Sequence, residues 1–266
     1  MSDEERRFEV AEAAARAGAS VAADYFRASV EIETKSSDTD VVTVADREAQ
    51  DEVVETISET FPEDTFVGEE GDLQKTVPRD GPVWVIDPID GTNNFVRQIA
   101  EYTTAVAAVV DGDPVAAANV MPSAGDAFTA DTETVYRNGE PVTVSDVSDP
   151  ALGCVVPTIW WPPDQRDEYS RACEAILTRF ADLRRFGSAQ AVLGKIAAGS
   201  LEGAITNVTC NPWDTIAGVH MVRVAGGTVT NLDGEPWTFD DRGLVASNGH
   251  VHDAVLEAAQ EIDGTQ

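Results

Sequence analysis

The 266-residue chain carries 48 acidic against 18 basic residues, for a formal net charge of -30. Such a surface repels nucleic-acid phosphates, and no apolar stretch approaches the roughly 18 residues that a membrane helix needs. Its length suits one large domain or two closely packed ones, and a hydrophobic content of 42% suits a folded core.

Cys154, Cys173 and Cys210 are far apart and form no CxxC pair, so neither a disulfide framework nor a zinc knuckle is expected. The start Met-Ser-Asp-Glu-Glu-Arg-Arg leads into a polar helical pattern rather than an apolar signal core, and a cytoplasmic location is expected. The acidic surplus is spread along the chain instead of gathering in a tail. That distribution points to a charged folded surface, whose self-repulsion at low ionic strength suggests a halophilic host.

Taken in order, residues Glu4 to Ala28 place Phe8, Ala11, Ala14, Ala15, Ala22 and Phe26 at near-helical spacing, and Val41 to Phe61 repeats the pattern before Pro62. Phe66 and Val67 predict a short strand ending at Gly68. Val83 to Ile86 predicts another that stops at Asp87 and Pro88, since proline cannot continue central pairing. Thr103 to Val110 and Val115 to Val120 flank Asp111-Gly112-Asp113-Pro114, a hairpin signal, and antiparallel strands are expected on through Phe128 to Val144. After a polar connection at 146–150 the pattern changes: Cys154 to Val156, a helix at Arg166 to Phe180, Leu183 to Phe186, and a helix at Ala189 to Ala198. A helix at Thr215 to Val224, strands at Thr228 to Val229 and Leu244 to Ala246, and a last helix at His250 to Ile262 complete the chain. Two units are therefore expected, an α+β half at 1–150 and an α/β half at 151–266.

The most informative run is Trp84 to Phe95, where an apolar strand delivers Asp87, Pro88, Ile89, Asp90, Gly91 and Thr92. Two carboxylates and the Ile89 carbonyl on one sharp turn offer a hard cation such as magnesium three oxygens. The same residues are also ordinary turn formers, and the spacing does not decide between the two readings. Glu69 follows the preceding strand, where a glutamate can join the same ion or simply face water. Asp214 precedes an apolar helix, in an N-cap position.

Together, FVGEEG at 66–71, WVIDPIDGTNNF at 84–95 and WDTIAG at 213–218, in that order, resemble the inositol monophosphatase family. Lys35 ahead of Asp40, Val42, Thr43 and Asp46 matches a further block of the family, and Gly187-Ser188-Ala189 another. The resemblance covers about residues 35–227 and implies a layered αβαβα sandwich of the sugar phosphatase type.

By position, the resemblance implies a first magnesium held by Glu69, Asp87, the Ile89 carbonyl and Thr92, and a second by Asp87, Asp90 and Asp214. A third, water-rich ion beside Glu69 is left open, so two to three ions are expected. The implied reaction is hydrolysis of a small phosphomonoester by metal-activated water, with Asp46 and Thr92 orienting that water alongside Glu69. Gly91 and Thr92 would contact the phosphate, and Asn93, Gly187, Ser188, Ala189 and Asn207 would lie nearer the alcohol. A homodimer is implied as well, without a partner in nucleic acid or membrane.

One departure bears on substrate. The glutamate that contacts inositol in animal-type members has no counterpart, since counting back from Asp214 reaches Asn207 and counting forward from Ala189 reaches Thr206. Inositol monophosphate and fructose 1,6-bisphosphate are both expected substrates, with adenosine 3',5'-bisphosphate ranked third. A catalytically silent metal-binding sensor or assembly protein is the alternative from another class.

Overall fold

The structure, a computed structural model, describes residues 2–27, 32–34 and 41–263, with 32–34 and 41–43 described by backbone alone. Lys35 and Asp40 lie outside the described residues. Helix α1 (Asp3–Tyr25) opens on a capping box, in which Ser2 Oγ accepts from Glu5 N at 3.0 Å and Ser2 N donates to the Glu5 carboxylate at 2.6 Å. Its buried stripe of Ala11, Ala14, Ala15, Gly18, Ala19 and Ala22 is made of small residues, which lets the next helix approach closely. A Cβ at Gly18 would stand 2.5 Å from Val53 Cγ2.

Strands β1 (Ile32–Thr34) and β2 (Val41–Thr43) pair antiparallel, and helix α2 (Val44–Ser58) follows at once. The helix predicted from Val41 thus begins three residues later. Val41, Val42 and Thr43 are β-branched, and strand pairing outweighs their place at the edge of a helical pattern.

Strands β3 (Thr65–Gly68) and β4 (Pro82–Asp90), helix α3 (Thr92–Val96), and strands β5 (Thr103–Val110), β6 (Asp113–Met121), β7 (Asp126–Ala130), β8 (Val135–Arg137) and β9 (Glu140–Val142) come next. The strands form one seven-stranded sheet in sequential order, β3 parallel to β4 and the rest antiparallel. β4 does not stop at Asp87 as expected. It runs on to Asp90 with a register shift against β5 between Asp87 and Asp90, and an irregularity of this kind accommodates a proline inside a central strand. The hairpin between β5 and β6 is tighter than expected, closed by Asp111 (φ 51°) and Gly112 (φ 90°), the positive pair that matches strand twist.

The rest of the chain supplies β10 (Cys154–Pro157), α4 (Arg166–Leu177), β11 (Asp182–Leu183), α5 (Ala189–Ala197), β12 (Gly203–Thr209), α6 (Pro212–Val224), β13 (Thr228–Thr230), β14 (Arg242–Ser247) and α7 (His252–Gln260). Its five strands form a second sheet in the order β11-β10-β12-β14-β13. β12 lacked a sequence expectation, because Gly203 and Asn207 interrupt its apolar residues.

Alternation along the strands builds the layers. Trp84 and Ile86 pack with Ala11, Ala15 and Val53 of α1 and α2 on one face of the first sheet. Val83 and Val85 face the other way and join Leu193, Val219, Ala204 and Ala246, so α5 and α6 are buried between the two sheets. Val155, Ile205 and Val245 turn outward to α4 and α7. The result is the expected αβαβα sandwich, in which the end of β4 meets the starts of α5 and α6.

Candidate active site

The turn that ends β4 is held by its own polar groups. Asp87 Oδ1 accepts from Ile89 N at 3.1 Å, and the Pro88 carbonyl accepts from Thr104 Oγ1 at 2.7 Å. Gly91 has φ 98°, and a Cβ there would stand 3.0 Å from the Glu101 carbonyl and 3.1 Å from that of Gly187, so any other residue would be strained there.

Each of three carboxylates has an oxygen fixed by protein donors. Asp90 Oδ2 accepts from Ser188 Oγ at 2.7 Å and from Gln190 N at 2.6 Å, while Ser188 also N-caps α5. Asp214 Oδ2 accepts from Asn211 N at 3.2 Å and Nδ2 at 2.9 Å. Asn211 is the N-cap of α6 and Asp214 its third residue, a correction to the N-cap position expected for Asp214. Pro212 starts the helix three residues earlier than the apolar pattern suggested, as proline favours a first turn. Asp87, Asp90 and Asp214 each bring an oxygen within 4.8 Å of the others.

Burial is the main cause that pushes the Asp87 carboxyl well above its usual range, with Glu69, Asp90, Asp214 and Asp46 adding repulsion in that order. Burial likewise raises Asp90 to about 6, against the lowering effect of its Ser188 and Gln190 bonds, and raises Asp214 to about 8, with Asp90 and Glu69 next. Buried like charges of this density call for a compensating cation, and an all-oxygen donor set suits a hard one. The residues present therefore fit magnesium.

Asp46, on the first turn of α2, is buried, and its Oδ1 lies 3.2 Å from Thr92 Oγ1. The Thr92 hydroxyl is also 3.0 Å from the Ile89 carbonyl. Glu69 stands just past β3, close enough to raise both Asp87 and Asp214.

Gly187 (φ 80°) and Ser188 abut Gly91, and Ala189 opens α5. Asn93 bonds Arg97 through both its carbonyl and its side-chain oxygen. Asn207 lies on the other face of β12, with Ile205, because strand residues alternate. Its Nδ2 donates to Glu168 at 2.7 Å and to Asp263 at 2.6 Å, and its Oδ1 accepts from Trp161 Nε1 at 2.7 Å. Both amide hydrogens are thereby committed to α4 and the C-terminal segment.

Several neighbours of the site escaped the sequence reading. Lys75 Nζ donates to the carbonyls of Gly68 at 2.7 Å and Glu69 at 3.0 Å and lies 5.7 Å from the centre of the Trp213 ring, steadying the turn that carries Glu69. Being one of three lysines was its only signal in the sequence. Asn94 Nδ2 ties the site to the Glu101 and Phe186 carbonyls, each at 2.6 Å. Further along the chain, exposed Trp160 has two guanidinium groups near the centre of its ring, that of Arg166 at 5.1 Å and that of Arg185 at 5.7 Å. It follows Ile159, a β-branched residue at φ 59°, an outlier that its loop must hold in place.

The sequence profile of the Inositol monophosphatase family matches residues 3–263. The inositol-1-monophosphatase of Bacillus subtilis is 31% identical over 233 residues, covering 86% of this chain and 87% of that one. A Thermotoga maritima protein named fructose-1,6-bisphosphatase/inositol-1-monophosphatase is 31% identical over 232 residues, 87% of each chain. The Nus factor SuhB of Vibrio cholerae is 30% identical over 253 residues, 94% of this chain and 93% of that one. Among solved structures, Thermotoga maritima IMPase superimposes with a TM-score of 0.87 at 28% identity, over 96% of both chains. Fold, motif order and whole-length similarity agree, and the chain belongs to the inositol monophosphatase family of phosphatases.

Proposed function

We propose that the chain is a magnesium-dependent hydrolase of small sugar or polyol phosphate monoesters, with a sugar bisphosphate among its substrates. The observation that carries this reading is the convergence of Asp87, Asp90 and Asp214 within 4.8 Å beside the Thr92–Asp46 pair. Magnesium held by these carboxylates, Glu69 and the Ile89 carbonyl would supply the positive charge that offsets the phosphate and acidifies water.

The chain's own residues do the rest. Thr92 gives its hydroxyl proton to Asp46 or to the Ile89 carbonyl, so its oxygen lone pairs are left to accept from a water and aim it. Gly91 and Thr92 are the proposed phosphate contacts. Asn93, Gly187, Ser188 and Ala189 are the proposed surroundings of the alcohol, across the Gly91–Gly187 contact.

A second anionic group on the alcohol side is supported by Arg185 and Arg166. Neither has a carboxylate partner among the described residues, although acids outnumber bases 48 to 18. Arg185 is three residues before Ser188, a reach of about 10 Å at most, comparable to the span of a phosphorylated hexose.

The test is phosphate release at high potassium chloride, with and without magnesium, from inositol 1-phosphate, fructose 1,6-bisphosphate and adenosine 3',5'-bisphosphate. Magnesium-dependent release from the first two is expected, and no release from any of them overturns the reading. An assembly role is the second reading, favoured by the similarity to a protein named Nus factor. Asp90→Asn separates the two, as it should abolish hydrolysis and leave partner binding intact. The acidic surface also supports the proposal of a salt-rich cytoplasm, for which a melting temperature that falls on adding potassium chloride would be contrary evidence, and the proposal of a homodimer is supported by the family likeness alone.

A further inference from the structure

Gln190 is fully buried at the start of α5 and bonds in two directions. Its main-chain N–H donates to Asp90 Oδ2 at 2.6 Å. Its side chain reaches across to α6, where Nε2 donates to the Trp213 carbonyl at 2.6 Å and Oε1 accepts from Gly218 N at 2.8 Å. Asp214 lies between those two points of attachment. One residue therefore grips a carboxylate on β4 with its backbone and the helical turn bearing Asp214 with its amide.

The surroundings fix that amide in place. Asn119 of β6, also fully buried, donates from Nδ2 to the Gln190 carbonyl at 3.1 Å and to Gln190 Oε1 at 3.0 Å. In doing so it leaves its own Oδ1 as a buried acceptor with no partner among the described residues, a cost that an apolar pair would avoid. Gly218 has no Cβ because one would stand 2.4 Å from Leu193 Cβ and 2.9 Å from Gln190 Oε1. A layer that is otherwise Leu193, Val219 and Ala217 thus contains two buried amides, held at close quarters directly behind the carboxylates.

We infer that Gln190 is a positioning residue that sets the separation of Asp90 and Asp214, and with it the affinity of the site for divalent cations. The inference rests on the metal-site reading above. The geometry explains why an amide is used: only a group that both donates and accepts can hold a carbonyl and an N–H of the same helix at once. Partners of this kind tune metal affinity because the ligands keep their places before the ion arrives.

The test is calorimetric titration of the full-length protein with magnesium chloride at high potassium chloride, without substrate, with turnover measured separately. Gln190→Met keeps the volume and removes the amide. It should weaken magnesium binding about tenfold or more, while turnover at saturating magnesium returns to within about threefold of wild type. Asn119→Leu, which removes both of its bonds to Gln190 while leaving every residue of α5 and α6 in place, should weaken binding in the same direction by a smaller factor, and it stands in if Gln190→Met does not fold. Magnesium affinity within twofold of wild type in the folded variant, whatever its melting temperature, assigns Gln190 to core packing alone and overturns the inference. If wild type itself takes up no magnesium, the metal-site reading fails instead.

Discussion

Thr92 Oγ1 sits 3.2 Å from Asp46 Oδ1, joining residues 46 positions apart in the chain at the edge of the carboxylate cluster. With the Ile89 carbonyl as the other acceptor, the contact confines the hydroxyl hydrogen to the protein side, and in the proposed mechanism the oxygen lone pairs are left to orient the attacking water. Thr92→Val keeps the shape and removes the relay. Its kcat should fall about 10²- to 10⁴-fold, the range of general acid–base contributions. Magnesium affinity should change only a few-fold, and stopped-assay phosphate release together with calorimetry checks both.

Asp214 and Asp90 link the site to stability. Their folded pKa values, about 8 and about 6, lie above the ordinary 3.8, so the folded protein binds more protons than the unfolded chain between these limits. The contribution from Asp214 is therefore favourable below about pH 4 and is lost as pH rises toward 8. In EDTA the melting temperature should drop across that window, and magnesium should restore it. Asp214→Asn keeps the acceptor for Asn211 and removes the charge. It should melt higher than wild type in EDTA at pH 8 and gain much less from magnesium.

Arg185 and Trp160 test the substrate proposal. Arg185→Gln and Trp160→Ala should lower kcat/KM for fructose 1,6-bisphosphate about tenfold or more, the scale of one charge-assisted contact. Inositol 1-phosphate should stay within about twofold. Equal losses on both substrates would show that the pair shapes the loop without reading a second phosphate.

Asp64 separates fold from site. Its Oδ2 accepts from Arg7 at 2.6 Å and from Trp84 Nε1 at 2.8 Å, with Arg7 stacked 4.3 Å from the Phe61 ring. Asp64→Ala strands an indole N–H and leaves the buried Arg7 guanidinium with only the exposed Asp3 carboxylate, 2.8 Å from its Nε, as a partner. It should cost about 3–5 kcal/mol of stability, seen in denaturant unfolding, with kcat at 25 °C nearly unchanged.

Much of this was legible wherever the governing interactions are local. The run from Asp87 to Thr92 folds on itself through bonds two and three residues long, Ile89 N to Asp87 and Thr92 Oγ1 to Ile89, so residue order dictates its shape. The Asp111-Gly112 turn is another such case. Expectations slipped where a neighbour intervened. Pro88 stays inside β4 because the register with β5 shifts around it, and Val41 to Thr43 leave the helix because residues 32–34 pair with them. Lys75 and Gln190 gave no motif at all, since what they do depends on carbonyls of Gly68, Glu69 and Trp213 that no spacing rule connects to them.

By itself the sequence determined the family, the layered fold and the residue types at the carboxylate cluster, because apolar periodicity and short motifs are written in consecutive residues. Only the tertiary structure decided that Asp214 closes on Asp87 and Asp90, that Asn207 turns toward Trp161, and that Gln190 spans β4 and α6. Those outcomes depend on which face of a strand or helix meets which layer, a quantity fixed by packing across the whole sandwich and by no single stretch of chain.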